Sequence, residues 1–374
     1  MTKKKITLLW RRFNTLELGK DVVLVPLYLA RTLGYEAEIV CGYDEEPISN
    51  GVKFVRRNLS YKPGQRMREY VRYLWSHARE IDVMMCFHWR METWLNIALY
   101  KTLHPQGQVY IKLDTEHGYE WDLSRCSAWQ RPLRRRLYRW LLNRTAVLSC
   151  ETSQVYEKLV NNNDFGAQLR NKLTWMPNAF DEAGFQASEV RQRSFAEKEN
   201  IFLTVGRLGT PQKNTEMLLK AAESLKDWKD WKMVCIGPIE ADFKPQIDDF
   251  MRQHPTLHNR IVFTGAITEK TILWDYYSRA KVFICTSRWE SYGLVLGEAR
   301  RLGCFLLTTE VGAAKDLCEQ AYGKLITQED SNELKQVMQE IINGTISVDV
   351  YKDENERRVT SYEDAVQKLT AFLQ

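Results

Sequence analysis

Two glutamates with seven residues between them, Glu290 and Glu298, stand in the stretch SRWESYGLVLGEARRLG, residues 287–303. The stretch from Leu294 to Leu302 reads as a helix. On it Leu294, Glu298 and Leu302 stack at i, i+4 and i+8, Val295 and Ala299 lie beside them, and Arg300 and Arg301 point elsewhere. A carboxylate in such a stripe is costly unless it is hydrogen-bonded. Gly293 permits a tight turn before the helix. The N–H groups of Gly293, Leu294 and Val295 then form an anion site at the positive end of the helix dipole. Glu298, one turn in, points the same way, where ribose hydroxyls would satisfy it. Upstream, Arg207 follows a strand-like run and Lys213 lies six residues on, with Asn214 or Thr215 to cap the next helix. Two cations at a strand end beside a helix N-terminus suit a diphosphate. A nucleoside diphosphate fits the whole set, with Glu290 beside the group carried on its far phosphate. The plainer alternatives are a solvated loop with two ordinary cations, a Glu298 paired with a buried Arg or Lys, and a Glu290 on a surface loop.

The elements that position these residues alternate. ITLLW, AEIVCG, DVMMCFH, QVYIKLD, AVLSCE and KLTWMPNAF read as strands of a first half. DVVLVPLYLARTLG (stopped by Gly34), RMREYVRYLWSHARE and ETWLNIALYKTLHP read as helices between them. The second half repeats the plan. NIFLTVGRL, WKMVCIG, RIVFTG, KVFICTS and CFLLTTEVG are strands, and NTEMLLKAAESLKD and EKTILWDYYSRA are helices. Gly237 and Gly265 end two of those strands, where a glycine lets backbone approach a flat ligand or makes a turn. The pattern predicts two doubly wound parallel α/β domains, with ligands at the carboxyl ends of the strands. The polar stretch DEAGFQASEVRQRSFAEKEN reads as the linker region, and SYEDAVQKLTAFLQ as a closing amphipathic helix.

A chain of 374 residues suits about two domains. No apolar run is long enough to span a membrane. The start, MTKKKITLLWRRF, fits a first strand better than a signal peptide. Eight scattered cysteines without a CxxC pair read as reduced core thiols, not as a disulfide or zinc framework. The charge is uneven. Residues 1–183 carry 28 Lys/Arg against 20 Asp/Glu, or +8, and residues 184–374 carry 25 against 28, or −3.

The second half resembles the retaining glycosyltransferases of family four, which have the GT-B fold. The matching residues are VGRL…KN…LL.A (205–222), VCIG (234–237), FTG (263–265), YYSRAKVFICTSRWESYGLVLGEARRLG (276–303) and TTEVGAAKDL (308–317), with the Glu-x7-Glu spacing as the family's signature. In the first half, 16–42 looks like the family's glycine loop, first helix and second strand, and MPNAFDEAGF (176–185) like its domain-junction stretch. The resemblance implies an N-terminal acceptor domain (1–183), a C-terminal donor domain (184–350) and a final helix (351–374) that packs back on the first. It implies sugar transfer from a nucleoside-diphosphate sugar to an acceptor, with retained configuration, no metal and no cofactor beyond the UDP- or GDP-linked co-substrate. Arg207 and Lys213 would hold the diphosphate, Glu298 the ribose, and Glu290 the donor sugar and its developing positive charge. Gly19 would let backbone near the donor phosphates, with Gly237, Gly265, Ser291, Tyr292, Gly293, Leu294 and Val295 completing the donor contacts. The family's first-domain histidine has two counterparts in YIKLDTEHGYE, Asp114 at the strand end or His117 before Gly118. Three departures stand out: Ala313-Ala314 where the family has Gly-Gly, Ala179 after Asn178 where it has glycine, and no histidine at that strand end.

From Leu123 to Cys150 there are seven arginines and no acidic residue. WQRPLRRRLYRWLL has helical period, with Leu133, Leu137, Trp140 and Leu141 on one side. A basic amphipathic helix with tryptophans suits an anionic membrane surface, and the alternative is a solvated arginine face over a core helix. No nucleic-acid motif accompanies the charge. The resulting expectation is a cytoplasmic glycosyltransferase, peripheral on the inner face of the cell membrane, acting on a glycan or lipid-linked glycan in capsule or other surface-polysaccharide assembly. The rivals are a non-catalytic nucleotide-sugar-binding protein and a nucleotide-sugar epimerase or hydrolase on the same fold.

Overall fold

The computed structural model describes residues 3–373 other than 15–16, 46, 48–50, 58–62 and 320. Leu16, where the glycine-loop resemblance begins, and Gln374, the last residue of the closing helix pattern, lie outside the described residues. The chain divides into two compact units, residues 1–179 with 360–374, and residues 180–359.

Unit 1 runs β1 (Lys5–Arg12), α1 (Asp21–Leu33), β2 (Glu36–Gly42), β3 (Val52–Arg56), α2 (Pro63–His77), β4 (Val83–Phe87), α3 (Met91–Leu103), β5 (Gln108–Lys112), α4 (Gln130–Leu142), β6 (Val147–Cys150), α5 (Ser153–Val160), α6 (Gly166–Leu169) and β7 (Leu173–Trp175). Its seven strands are parallel in the order β3-β2-β1-β4-β5-β6-β7. Helices cover both faces, which is why VMMCF of β4 is buried at every position rather than at alternate ones. Gly34 closes α1 in the left-handed conformation, at φ 71°.

Unit 2 runs α7 (Glu182–Gln186), β8 (Glu199–Val205), α8 (Thr215–Glu223), β9 (Lys232–Ile236), α9 (Lys244–Gln253), β10 (Ile261–Gly265), α10 (Lys270–Arg279), β11 (Ala280–Cys285), α11 (Leu294–Arg301), β12 (Phe305–Thr309), α12 (Ala314–Cys318), β13 (Gly323–Ile326) and α13 (Ser331–Ile342). Its six parallel strands follow the order β10-β9-β8-β11-β12-β13. The last helix, α14 (Tyr362–Thr370), belongs to unit 1, where Tyr362 stacks on Tyr28 of α1 with ring centroids 5.5 Å apart.

Each sheet reverses its winding direction once, between β1 and β4 in unit 1 and between β8 and β11 in unit 2. Outside the strand ends at such a point, flanking loops diverge to opposite faces and leave a crevice. Both units have a pocket there. That of unit 1 is lined from the ends of β1 and β4, and that of unit 2 from the ends of β8 and β11.

The stretch read as a linker is built into unit 2. Arg301 grips Glu182 with two hydrogen bonds, of 2.7 and 2.5 Å, and donates to Gln192 at 2.9 Å. The eight cysteines are unbridged and buried. No helix among the described residues is long and apolar enough to cross a membrane.

Candidate functional site

In unit 2 the pocket is lined by Thr204, Val205 and Gly206 at the end of β8, Lys213 just before α8 and Thr215 at its start, and Cys285, Thr286 and Ser287 at the end of β11. Lys213 reaches it by folding its stem over Gly206, where an added Cβ would lie 3.0 Å from Lys213 Cε. Its ammonium is ion-paired with Glu290. Glu290 is buried. It also accepts hydrogen bonds from Ser287 Oγ at 2.8 Å and from Gln212 Nε2 at 3.3 Å. Three donors converge on one carboxylate and fix its direction. Arg207 stands exposed on the same loop, with Nη2 3.2 Å from Gln212 Oε1.

The backbone around this pair is tightly specified. Gly237 has φ 143°, and a Cβ there would fall 1.7 Å from the Gly206 carbonyl oxygen, so the ends of β8 and β9 meet only because residue 237 is a glycine. The Gly206 amide donates to Ile236 at 2.9 Å and the Gly237 amide to Gly265 at 2.9 Å, which links three strand ends in a row. Thr286, buried after β11, donates to the carbonyls of Lys213 and Asn214 at 2.9 and 3.0 Å. Arg288 ties the loop from outside, to Glu329 at 2.5 Å, the Pro211 carbonyl at 2.6 Å and Asn214 Oδ1 at 2.9 Å. Neither Asn214 nor Thr215 caps α8 through its side chain. Asn214 is the N-cap residue, in the left-handed region at φ 49°, and the Thr215 hydroxyl instead accepts from the Gly209 amide at 2.9 Å.

Gly293, at φ 83°, turns the chain into α11. The amides of Leu294 and Val295 donate to no described residue, and Ser291, Leu294 and Val295 are half-buried, while Tyr292 is buried. The buried face of the helix differs from the expected stripe. Leu296, Ala299, Arg300 and Leu302 are buried, and Leu294, Val295 and Glu298 are half-buried at its edge. Arg300 does not point to solvent: it donates to the Leu317 carbonyl and Glu319, both at 2.8 Å, with its guanidinium 4.4 Å from the Tyr322 ring centroid. A long basic side chain here finds carbonyl and aromatic partners inside the fold, so it takes a core position that hydropathy alone denies it. Glu298 lies against Tyr277 of α10. Burial drives that phenol well above its ordinary value, and the Glu298 charge pushes the same way. Just before Ala313-Ala314, Gly312 has φ 52° and passes so close to Tyr292 that a Cβ would lie 2.4 Å from its carbonyl oxygen, while the Ala313 amide donates to that carbonyl at 2.8 Å.

Unit 1 holds the remaining candidates. Gly19 lies in the turn between β1 and α1. Asp114 follows β5, and the histidine paired with it is His88, which sequence reasoning missed. His88 Nδ1 is 3.1 Å from the Asp114 carbonyl oxygen and Nε2 is 3.8 Å from its carboxylate. His88 has φ 61°, rare outside glycine, and burial lowers its pKa, with Asp114 opposing. Its signal was in the sequence, a histidine immediately after the buried run VMMCF. His117 stands on an exposed turn, 3.4 Å from Glu116 and with its ring against Tyr119. Behind Asp114, Lys112 is fully buried and paired with Asp21, at 2.9 Å, and with Glu151. Two carboxylates on one ammonium hold it charged despite burial. Among the described residues no group of three or more His, Cys, Asp or Glu is placed to hold a metal ion.

Residues 186–358 match the family model of the glycosyl transferases, group 1. No curated protein matches the chain by sequence. Among solved structures it is similar to sucrose-phosphate synthase from Thermosynechococcus elongatus, with 17% identity and TM-score 0.65, covering 100% of this chain and 95% of that one. It is similar to HepE of Anabaena in complex with UDP, with 15% identity and TM-score 0.65, covering 99% of each. It is also similar to WaaG, a glycosyltransferase involved in lipopolysaccharide biosynthesis, with 14% identity and TM-score 0.66, again covering 99% of each. At these identities the likeness carries the fold, which is GT-B.

Proposed function

We propose that this chain is a retaining glycosyltransferase that moves a sugar from a nucleoside-diphosphate sugar, UDP- or GDP-linked, to a glycan or lipid-linked glycan. The observation that carries this reading is the cluster at the winding reversal of unit 2: Lys213, Arg207, Glu290 and the unbonded amides of Leu294 and Val295, inside the segment that matches the group 1 model. The two cations and the start of α11 take the diphosphate, and Glu298 takes the ribose. Phosphate oxygens displace Glu290 from Lys213. The freed carboxylate then faces the positive charge that grows on the sugar as its bond to the β-phosphate breaks. The acceptor oxygen bonds to the anomeric carbon from the same face, and its proton passes to the departing phosphate oxygen, which gives retention. The positive charge comes from side chains, so the step needs no metal ion.

A place in surface-polysaccharide assembly, at the inner face of the cell membrane, is supported by α4. Its core face is Tyr138, Leu141 and Leu142, whereas Leu133, Leu137 and Trp140 are exposed, together with Trp129 just before the helix. Leu141 therefore leaves the apolar side read from the sequence, and the rest of that side faces solvent. Exposed tryptophan and leucine interleaved with arginine suit a lipid–water boundary. The test of the enzymatic reading is nucleoside diphosphate release from a panel of UDP-, GDP- and ADP-sugars with mixed glycan acceptors. Release by the wild type and its loss in Glu290→Ala, with nucleotide binding kept, is the expected result. Binding without release by the wild type across the panel rejects catalysis in favour of a nucleotide-sugar sensor.

A further inference from the structure

The unit 1 pocket occupies the position that the donor cluster occupies in unit 2, at the single winding reversal of its sheet. Its walls are Leu9, Trp10 and Arg11 at the end of β1, Cys86 to His88 at the end of β4, Arg66 and Tyr70 of α2, and the first turns of α3. Its volume is about 80 Å3. A water needs roughly 10–15 Å3 on this scale, so a phosphate or carboxylate group fits with part of a sugar ring.

The lining is basic. Of its three arginines, Arg66 is neutralised by Glu92 through bonds of 2.5 and 2.7 Å. The side chains of Arg11 and Arg90 make no hydrogen bond or ion pair with a described residue, and the Arg11 guanidinium lies 5.4 Å from the Trp10 ring centroid. Arg90 is also the N-cap residue of the 13-residue helix α3, which has no side-chain cap, so the first amides of that helix add to the positive field. An independent observation points to a ligand. Asn96 is 3% exposed and lines the pocket, and its Oδ1 has no hydrogen-bond partner among the described residues. A buried acceptor left unpaired is costly, and a hydroxyl donor entering the pocket satisfies it. The neighbouring Thr93 hydroxyl already donates to the Phe87 and His88 carbonyls, at 3.3 and 2.9 Å. His88, in the same wall, links the pocket to Asp114.

We infer that this pocket binds an anionic group of the acceptor, a phosphate or carboxylate borne on a hydroxyl-rich sugar, with Arg11 and Arg90 on the anion and Asn96 on a hydroxyl. The assignment to the acceptor rests on the proposed glycosyl transfer; the binding of an anionic sugar does not. Titration of the full chain with glucose 6-phosphate, glucuronate, glucose and inorganic phosphate, followed by ligand-observed NMR, tests it, with UDP binding measured alongside. The expected result is that one charged sugar binds at least tenfold tighter than glucose and than inorganic phosphate. Arg11→Gln with Arg90→Gln should abolish that preference and leave UDP binding unchanged. The sugar phosphate and glucuronate arms tell the two anions apart. Equal binding of glucose and the charged sugars overturns the inference, as does full retention in the double variant or equal binding of inorganic phosphate alone. Charged-sugar binding in a chain that turns over no donor rejects the transferase and keeps the pocket. Turnover on neutral acceptors, indifferent to both arginines, does the reverse.

Discussion

Replacing Glu290 by Gln separates binding from chemistry at the unit 2 site. Glu290 holds Lys213 in an ion pair, and a bound diphosphate has to take Lys213 from it. Gln keeps an oxygen that accepts from Lys213 and Ser287 but carries no charge. Hydrogen bonds to charged groups contribute about 1.5–3 kcal/mol and neutral ones about 0.5–1.5 kcal/mol, so Lys213 leaves Gln more easily by about 1–1.5 kcal/mol. That makes UDP or GDP bind roughly five- to tenfold tighter to the variant. Turnover moves the opposite way. Loss of a charge that stabilises the transition state lowers kcat on the order of 10²–10³-fold. Calorimetric titration with UDP and GDP gives the first quantity, and initial rates of nucleoside diphosphate release give the second. Several-fold weaker nucleotide binding by Glu290→Gln refutes the competition for Lys213. A rate within about threefold of wild type refutes the placing of Glu290 toward the sugar. Lys213→Met is the companion, and it should lose at least about tenfold in nucleotide affinity.

Gly237→Ala and Gly265→Ala share a positive φ, but only the first puts a Cβ on a backbone oxygen; a Cβ on Gly265 meets no atom within 4 Å among the described residues. Urea unfolding should show Gly265→Ala costing about 1–2 kcal/mol and Gly237→Ala clearly more, or failing to fold; equal costs contradict the geometry. Arg288→Ala removes the outer tie on the 207–213 loop, and because that side chain is partly solvent-exposed the expected loss is about 1 kcal/mol in unfolding, with a few-fold weaker nucleotide binding. His88, lowered by burial, should titrate by NMR below the ordinary histidine value, and a normal or raised midpoint contradicts the site. Its folded pKa lies below its unfolded one, so it contributes stability that is complete above the unfolded pKa and is lost as pH falls from there toward the folded value. Trp129→Ala with Leu133→Gln and Arg136→Glu should cut sedimentation with phosphatidylserine vesicles at least fivefold; unchanged sedimentation refutes a lipid-facing α4.

Sequence periodicity made both sheets legible except for their short edge strands β3 and β13, because parallel strands covered on two faces leave short continuous apolar runs between amphipathic helices. The Glu290–Gly293–α11 arrangement was legible for a related reason: a strand, a turn glycine and a helix start are each local signals. What was hidden is tertiary. The Lys213–Glu290 pair joins residues 77 apart, and the Arg288 ties join loops whose proximity only the sheet order creates. The inward turn of Arg300 depends on the Leu317 carbonyl of α12 and the Glu319 carboxylate just after it, 17 and 19 residues further along the chain. On α4 the helical period was visible, but period fixes which residues share a face and not which face meets the core. The twin pockets depend on where each sheet reverses, and strand order is not written in hydropathy.

The measurement that bears most directly on the account is the anomeric proton spectrum during turnover of the donor that binds best. The account predicts that the donor's anomeric signal is replaced by a glycoside signal of the same configuration, in step with nucleoside diphosphate release. A product of opposite configuration, or no new anomeric signal from any bound donor with any acceptor, contradicts it.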